Sequence, residues 1–148
     1  MKPQVVLVLL MMLLGADDGK NDPNKADLDK MQGDWAASVY VRDGQALADD
    51  DAQALFRTVK GSQYTLFHFD KPLGKGAIKL DATQHPKTID AWPGDPPDKT
   101  KALLGIYEFD RPDRYKVCFA GPGGARPKDF VSKEGSGHTF TVWEREKK

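Results

Sequence analysis

Gly33-Asp34-Trp35-Ala36-Ala37-Ser38-Val39-Tyr40-Val41-Arg42 is the stretch on which the fold turns. From Trp35 onward it alternates at the period of a strand with one buried face, so Trp35, Ala37, Val39 and Val41 share a side and Ser38, Tyr40 and Arg42 the other.

Downstream, short alternating or β-branched runs recur between Gly, Pro and Asp punctuation, near 35–42, 55–60, 63–69, 76–81, 88–92, 103–109, 115–120 and 139–145. Eight strands is the number at which a closed barrel has an interior just wide enough for side chains or one small ligand. Asp43-Gly44, Gly61-Ser62 and Asp110-Arg111-Pro112-Asp113-Arg114 make tight connections, so each strand neighbours the one before it. The expected fold is all-β: an eight-stranded antiparallel up-and-down barrel with a short helical turn around 28–31. Alternation places Ile78 and Leu80, then Tyr115, Val117 and Phe119, then Phe140 and Val142 inside. Tyr64, Leu66 and His68 face one way and Phe67 and Phe69 the other, so that strand has two apolar faces.

The N-terminus reads as an address. Lys2 precedes an apolar run, residues 5–14, which is half the roughly 20 residues a spanning helix needs and matches a signal-peptide core. Gly15-Ala16 offers a cleavage point, giving a signal peptide at 1–16, a flexible polar linker at 17–30 and a single domain at 31–146. The expected location is periplasmic or extracellular, with no membrane span once the leader is removed. Removal takes one base, Lys2, from 22 basic and 22 acidic side chains and leaves a net charge of −1, too little basic clustering for a nucleic-acid partner. Cys118 is the only cysteine, so no intramolecular disulfide can form.

No catalytic signature emerges. Gly121-Pro122-Gly123-Gly124 lacks the Gly-Lys-Ser/Thr and helix of a phosphate loop, and Gly135-Ser136-Gly137-His138 precedes a strand, unlike a nucleophile elbow. His68, His85 and His138 lie on separate segments, and Asp49-Asp50-Asp51 lacks the alternate spacing of a calcium loop. His68 and Asp70 share a strand face, most simply as a surface polar pair. No metal, cofactor or enzymatic activity is expected. Residues 93–101 and 121–137, rich in Gly, Pro and charge, are expected as mobile loops at a rim.

Leu103-Leu104-Gly105-Ile106-Tyr107-Glu108-Phe109-Asp110 with Tyr115-Lys116-Val117-Cys118-Phe119-Ala120 resembles the hallmark of a bacterial family of small lipocalin-like domains of unknown function, abundant in planctomycetes. Met31-Gln32-Gly33-Asp34-Trp35, Pro86-Lys87-Thr88-Ile89-Asp90 and Arg126-Pro127-Lys128-Asp129-Phe130 with Gly135-Ser136-Gly137 resemble its other blocks. The resemblance implies a lipocalin-type barrel and frequent export, and it carries no catalytic residue. It also implies that the Trp of such a Gly-x-Trp, here Trp35, closes one end of a rolled sheet and that an Arg of the last strand, here Arg145, covers the indole. Such a contact is worth about 0.5 to 2 kcal/mol, the larger figure when water is excluded. Gly33, Trp35 and Arg145 are therefore read as a structural plug, with no part in catalysis. Ala91-Trp92 departs from the pattern and would enlarge the interior or add an aromatic lip.

Two functional readings follow. In the first, a small, largely apolar molecule occupies the interior, with Val39, Tyr64, Leu66, Ile78, Ala91, Trp92 and Tyr107 as interior or mouth contacts. In the second, the barrel is filled and outer aromatics such as Phe67 and Phe69, with the long loops, bind another protein.

Overall fold

Asp22 starts the first ordered element by accepting hydrogen bonds from the N–H groups of Asn24 and Lys25, and Pro23 occupies a first-turn position where its missing N–H costs nothing. Helix α1 (Pro23–Met31) follows, so the polar stretch expected as a linker up to residue 30 is helical over most of its length. Asp22-Pro23 reads equally as a turn, which hid the helix start from the sequence. Tertiary packing decides it, since Asp27 and Met31 are buried against the barrel. The computed structural model describes residues 21–147. The leader at 1–16 and the start of the linker lie outside the described residues. None of the described helices is long and apolar enough to cross a membrane.

The strands are β1 (Gly33–Arg42), β2 (Gln45–Ala46), β3 (Leu55–Lys60), β4 (Gln63–His68), β5 (Lys71–Asp81), β6 (Lys87–Pro93), β7 (Leu103–Arg111), β8 (Arg114–Phe119) and β9 (Thr139–Arg145). A short helix α2 (Asp49–Gln53), with acidic residues in its first turn, lies between β2 and β3. All neighbours are antiparallel, in the order β2-β1-β3-β4-β5-β6-β7-β8-β9, and β1 also pairs with β9. That last pairing closes eight strands into an up-and-down barrel, with β2 as a brief hairpin outside the ring. The eight runs expected from the sequence are these strands; β5 begins five residues earlier than alternation implied, because Lys71-Pro72-Leu73-Gly74-Lys75 extends the hairpin with β4.

Two faces differ from simple alternation. The register of β1 against β9 shifts between Ala37 and Val39, a bulge that leaves Ser38 unopposed and reverses every side chain beyond it. Tyr40 and Arg42 therefore line the interior and Val39 faces out, 40% exposed. In β9 the pairing of Trp143 with both Ala37 and Tyr115 puts Trp143 and Thr141 inside, not Phe140 and Val142. Val142 misled because it too is buried, on the outer wall.

Residues 121–137 meet the cavity at their two ends, through Gly121, Pro122 and Gly137, and between them fold back over that wall. Arg126 donates to the Gly105 carbonyl at 2.8 Å and pairs with Asp90 at 2.7 Å. Ser132 Oγ donates to the His138 carbonyl at 2.7 Å and accepts from the Gly44 N–H, while Asp43 accepts from the Gly137 N–H at 2.8 Å. Cys118, outward and buried, donates weakly to the Val131 carbonyl at 3.6 Å. Burial pushes its thiol pKa up, so it behaves as a small hydrophobe.

Candidate functional site

One end of the barrel is sealed. Trp35 is fully buried, meets Tyr115 edge-on at 4.7 Å between centroids and donates from Nε1 to the Met31 carbonyl at 2.9 Å. The Arg145 guanidinium lies 4.2 Å from the Trp35 ring centroid and donates to the carbonyls of Gln32 and Lys30, both at 2.7 Å. It thus covers the indole and caps the C-terminal end of α1 together. Gly33 takes a left-handed φ of +112°, and a Cβ there would come within 2.9 Å of Arg145 Nη1, so a larger residue would push the guanidinium off its seat.

Tyr107 belongs to this closed end and not to the mouth. Its hydroxyl donates to Asp27 Oδ2 at 2.8 Å, and Lys87 Nζ reaches the same oxygen at 2.8 Å. Burial alone would raise the Asp27 carboxyl, but the hydrogen bonds from Lys87 and Tyr107, with the charges of Lys87 and Lys30, outweigh it and hold the pKa below the ordinary carboxylate value. Burial and the Asp27 partner push the Tyr107 hydroxyl far up. Asp27→Asn is expected to cost about 1 to 2 kcal/mol near neutral pH, discounted because Lys87 is partly exposed. A depressed carboxylate contributes stability above its unfolded pKa and loses it as pH falls, so the gap between parent and variant should close below about pH 4. Urea unfolding at pH 7 and pH 3 measures both, and an unchanged gap would remove the carboxylate from the account.

The other end opens into a cavity of about 350 Å3. Leu55, Leu66, Ala91, Leu103, Val117 and Phe119 form its apolar wall, with Tyr40, Arg42 and Leu73 among the remaining lining residues. Of the residues expected from the sequence, Tyr64, Leu66 and Ala91 line it together. Ile78 is buried in the core but does not reach the cavity, and Val39 faces solvent. Trp92 sits beside Ala91 on the strand and so points to the outer face, under Lys99 Nζ at 4.3 Å from its ring centroid. The small size of Ala91 opens volume, while the aromatic lip expected of Trp92 is not formed.

Arg57 is the residue that sequence reading missed. It lines the cavity at 4% exposure, with Nη1 3.4 Å from the Tyr115 hydroxyl and its guanidinium carbon 5.3 Å and 6.0 Å from the rings of Tyr64 and Trp143. Among the described residues no carboxylate pairs with it, unlike Arg126 and Arg114, which pair with Asp90 and Asp110. Burial pushes the hydroxyls of Tyr64 and Tyr115 up despite the nearby guanidinium, so neither supplies an anion. No family model, curated protein or solved structure matches this chain. A signal for Arg57 did exist: it alternates with Leu55 and Val59 on one face of a strand, an interior position given to a cation.

His68 stands apart from this site, with Nε2 3.2 Å from the Asp51 carbonyl and its ring against Phe69. No group of three or more His, Cys, Asp or Glu side chains among the described residues is placed to hold a metal.

Proposed function

We propose that this protein is an exported, non-catalytic binding module that holds a small, largely apolar molecule inside its barrel. The supporting observation is the cavity: one end sealed by Trp35 and Arg145, the other open, with about 350 Å3 between them and a largely apolar wall that includes Leu55, Leu66, Ala91, Leu103, Val117 and Phe119. That volume lies in the usual range for small-molecule sites, roughly 300–1,000 Å3. Export rests on the leader-like residues 1–16 and on the resemblance to exported lipocalin-like domains. The alternative, a protein-interaction domain with a solid barrel, draws support from exposed Phe69 and Leu73 on the β4–β5 hairpin, but Leu73 also lines the cavity and the interior is not filled.

Binding of N-phenyl-1-naphthylamine, whose fluorescence rises in apolar surroundings, tests the reading. The protein should bind it at micromolar concentration, and Ala91→Phe, which fills cavity space at an overpacking cost of about 1 to 3 kcal/mol, should abolish the signal while the circular dichroism spectrum is kept. No binding by the parent, or equal binding by a folded variant, would overturn it.

A further inference from the structure

Among the described residues, four buried side-chain nitrogens or oxygens have no conventional hydrogen bond: Asp90 Oδ1, Arg114 Nε, Arg57 Nε and Trp143 Nε1. The first two sit inside ion pairs, at 2.7 Å from Arg126 and 3.1 Å from Asp110. Arg57 and Trp143 remain, and both line the cavity, at 4% and 3% exposure, with the guanidinium 6.0 Å from the indole ring. Two donors without protein partners thus belong to side chains of one chamber whose remaining lining is largely apolar, apart from the hydroxyl-bearing Tyr40, Tyr64, Thr139 and Thr141 and the exposed Arg42. A cation taken out of water without an anion is costly, and a guanidinium stays charged throughout the physiological range, so the arrangement calls for an incoming negative group.

We propose that the ligand is an amphiphilic monocarboxylate, its head bound by Arg57 and the Trp143 indole N–H and its tail lying along Leu55, Leu66, Ala91, Leu103 and Phe119 toward Leu73 at the mouth. The inference rests on the ligand-binding reading above and deepens it. Three features favour a carboxylate. Arg57 is the one buried cation in the lining, since Arg42, the other lining cation, is exposed; a dianion such as a phosphate monoester would keep an uncompensated charge. Nη1 is already directed at Tyr115, leaving Nε and Nη2, the edge of the fork that a planar carboxylate meets with two parallel bonds. The chamber also holds on the order of ten non-hydrogen atoms at about 30 Å3 each, the size of a medium-chain acid.

Calorimetric titration of the purified protein with decanoate and with 1-decanol, which share a tail, isolates the head group. Decanoate should bind at least tenfold more tightly. Arg57→Met should weaken decanoate about 10- to 100-fold and leave decanol within about threefold, as expected for loss of a charge-assisted hydrogen bond. Trp143→Phe, which keeps the ring and removes the N–H, should weaken decanoate severalfold and decanol not at all. If Arg57→Met does not fold, the decanoate-to-decanol ratio of the parent and the Trp143→Phe variant decide. Equal binding of the acid and the alcohol by the parent, or a Trp143→Phe effect on both alike, would overturn the anion site while leaving the apolar-ligand reading intact. Failure of decanoate, decanol and N-phenyl-1-naphthylamine alike would overturn both.

Discussion

Trp35→Ala is expected to lower the melting temperature by about 10–20 °C. Truncating a fully buried aromatic costs about 3 to 5 kcal/mol, through lost transfer energy and the void left behind. For a domain of this size each kcal/mol moves the midpoint by a few degrees. Relaxation into the void is restricted here, because the surrounding atoms are held by other bonds. Tyr115 is anchored in β8, and Arg145 remains tied to the carbonyls of Gln32 and Lys30 after the ring beneath it is gone. Trp35→Phe separates the contributions: it keeps most of the packing against Tyr115 and removes the donor to the Met31 carbonyl, for a loss of about 1 kcal/mol from that bond. Thermal melts followed by circular dichroism measure both variants. A shift within two degrees for Trp35→Ala would mean that the barrel end does not depend on its plug.

The architecture was legible in the sequence because its signals are local and redundant. Turn pairs such as Gly61-Ser62 fix neighbours, and the Trp35 to Arg145 pairing needs only a first and a last strand that meet, which β1 and β9 do in register. The site was less legible, for two physical reasons. A single bulged residue, Ser38, reverses the faces of Val39, Tyr40 and Arg42, and nothing in their residue types marks where the extra residue falls. Residues 121–137 cover part of the outer wall, over Cys118, and Val142 is also buried on that wall, so hydrophobicity no longer reports which way β9 faces. Alternation therefore puts Phe140 and Val142 inside where the fold puts Thr141 and Trp143. Arg57 was missed because a cation at an interior position contradicts the rule used to find interiors, and such contradictions concentrate where stability is given up for function.

That conflict makes a second result expected: the double variant Arg57→Met, Tyr115→Phe should be more stable than the parent by about 1 to 4 kcal/mol in the absence of added ligand. Effective desolvation of a buried ion is several kcal/mol, against which two cation–π contacts, with Tyr64 and Trp143, contribute about 0.5 to 2 kcal/mol each. Among the described residues the guanidinium makes a single hydrogen bond, to Tyr115, and it is long at 3.4 Å. Methionine fills similar volume without charge, and phenylalanine removes the hydroxyl that would otherwise be stranded at a cost of about 1 to 3 kcal/mol. Changing both partners together is therefore the informative experiment, since Arg57→Met alone mixes relief of the buried charge with the orphaned Tyr115 hydroxyl. Urea midpoints at unchanged slope give the difference directly. A double variant less stable than the parent would mean that the guanidinium is already well compensated inside the empty barrel, and the physical reason for an incoming carboxylate would be gone. A gain in stability accompanied by loss of decanoate binding would instead identify Arg57 as a cation retained at a folding cost for what it holds.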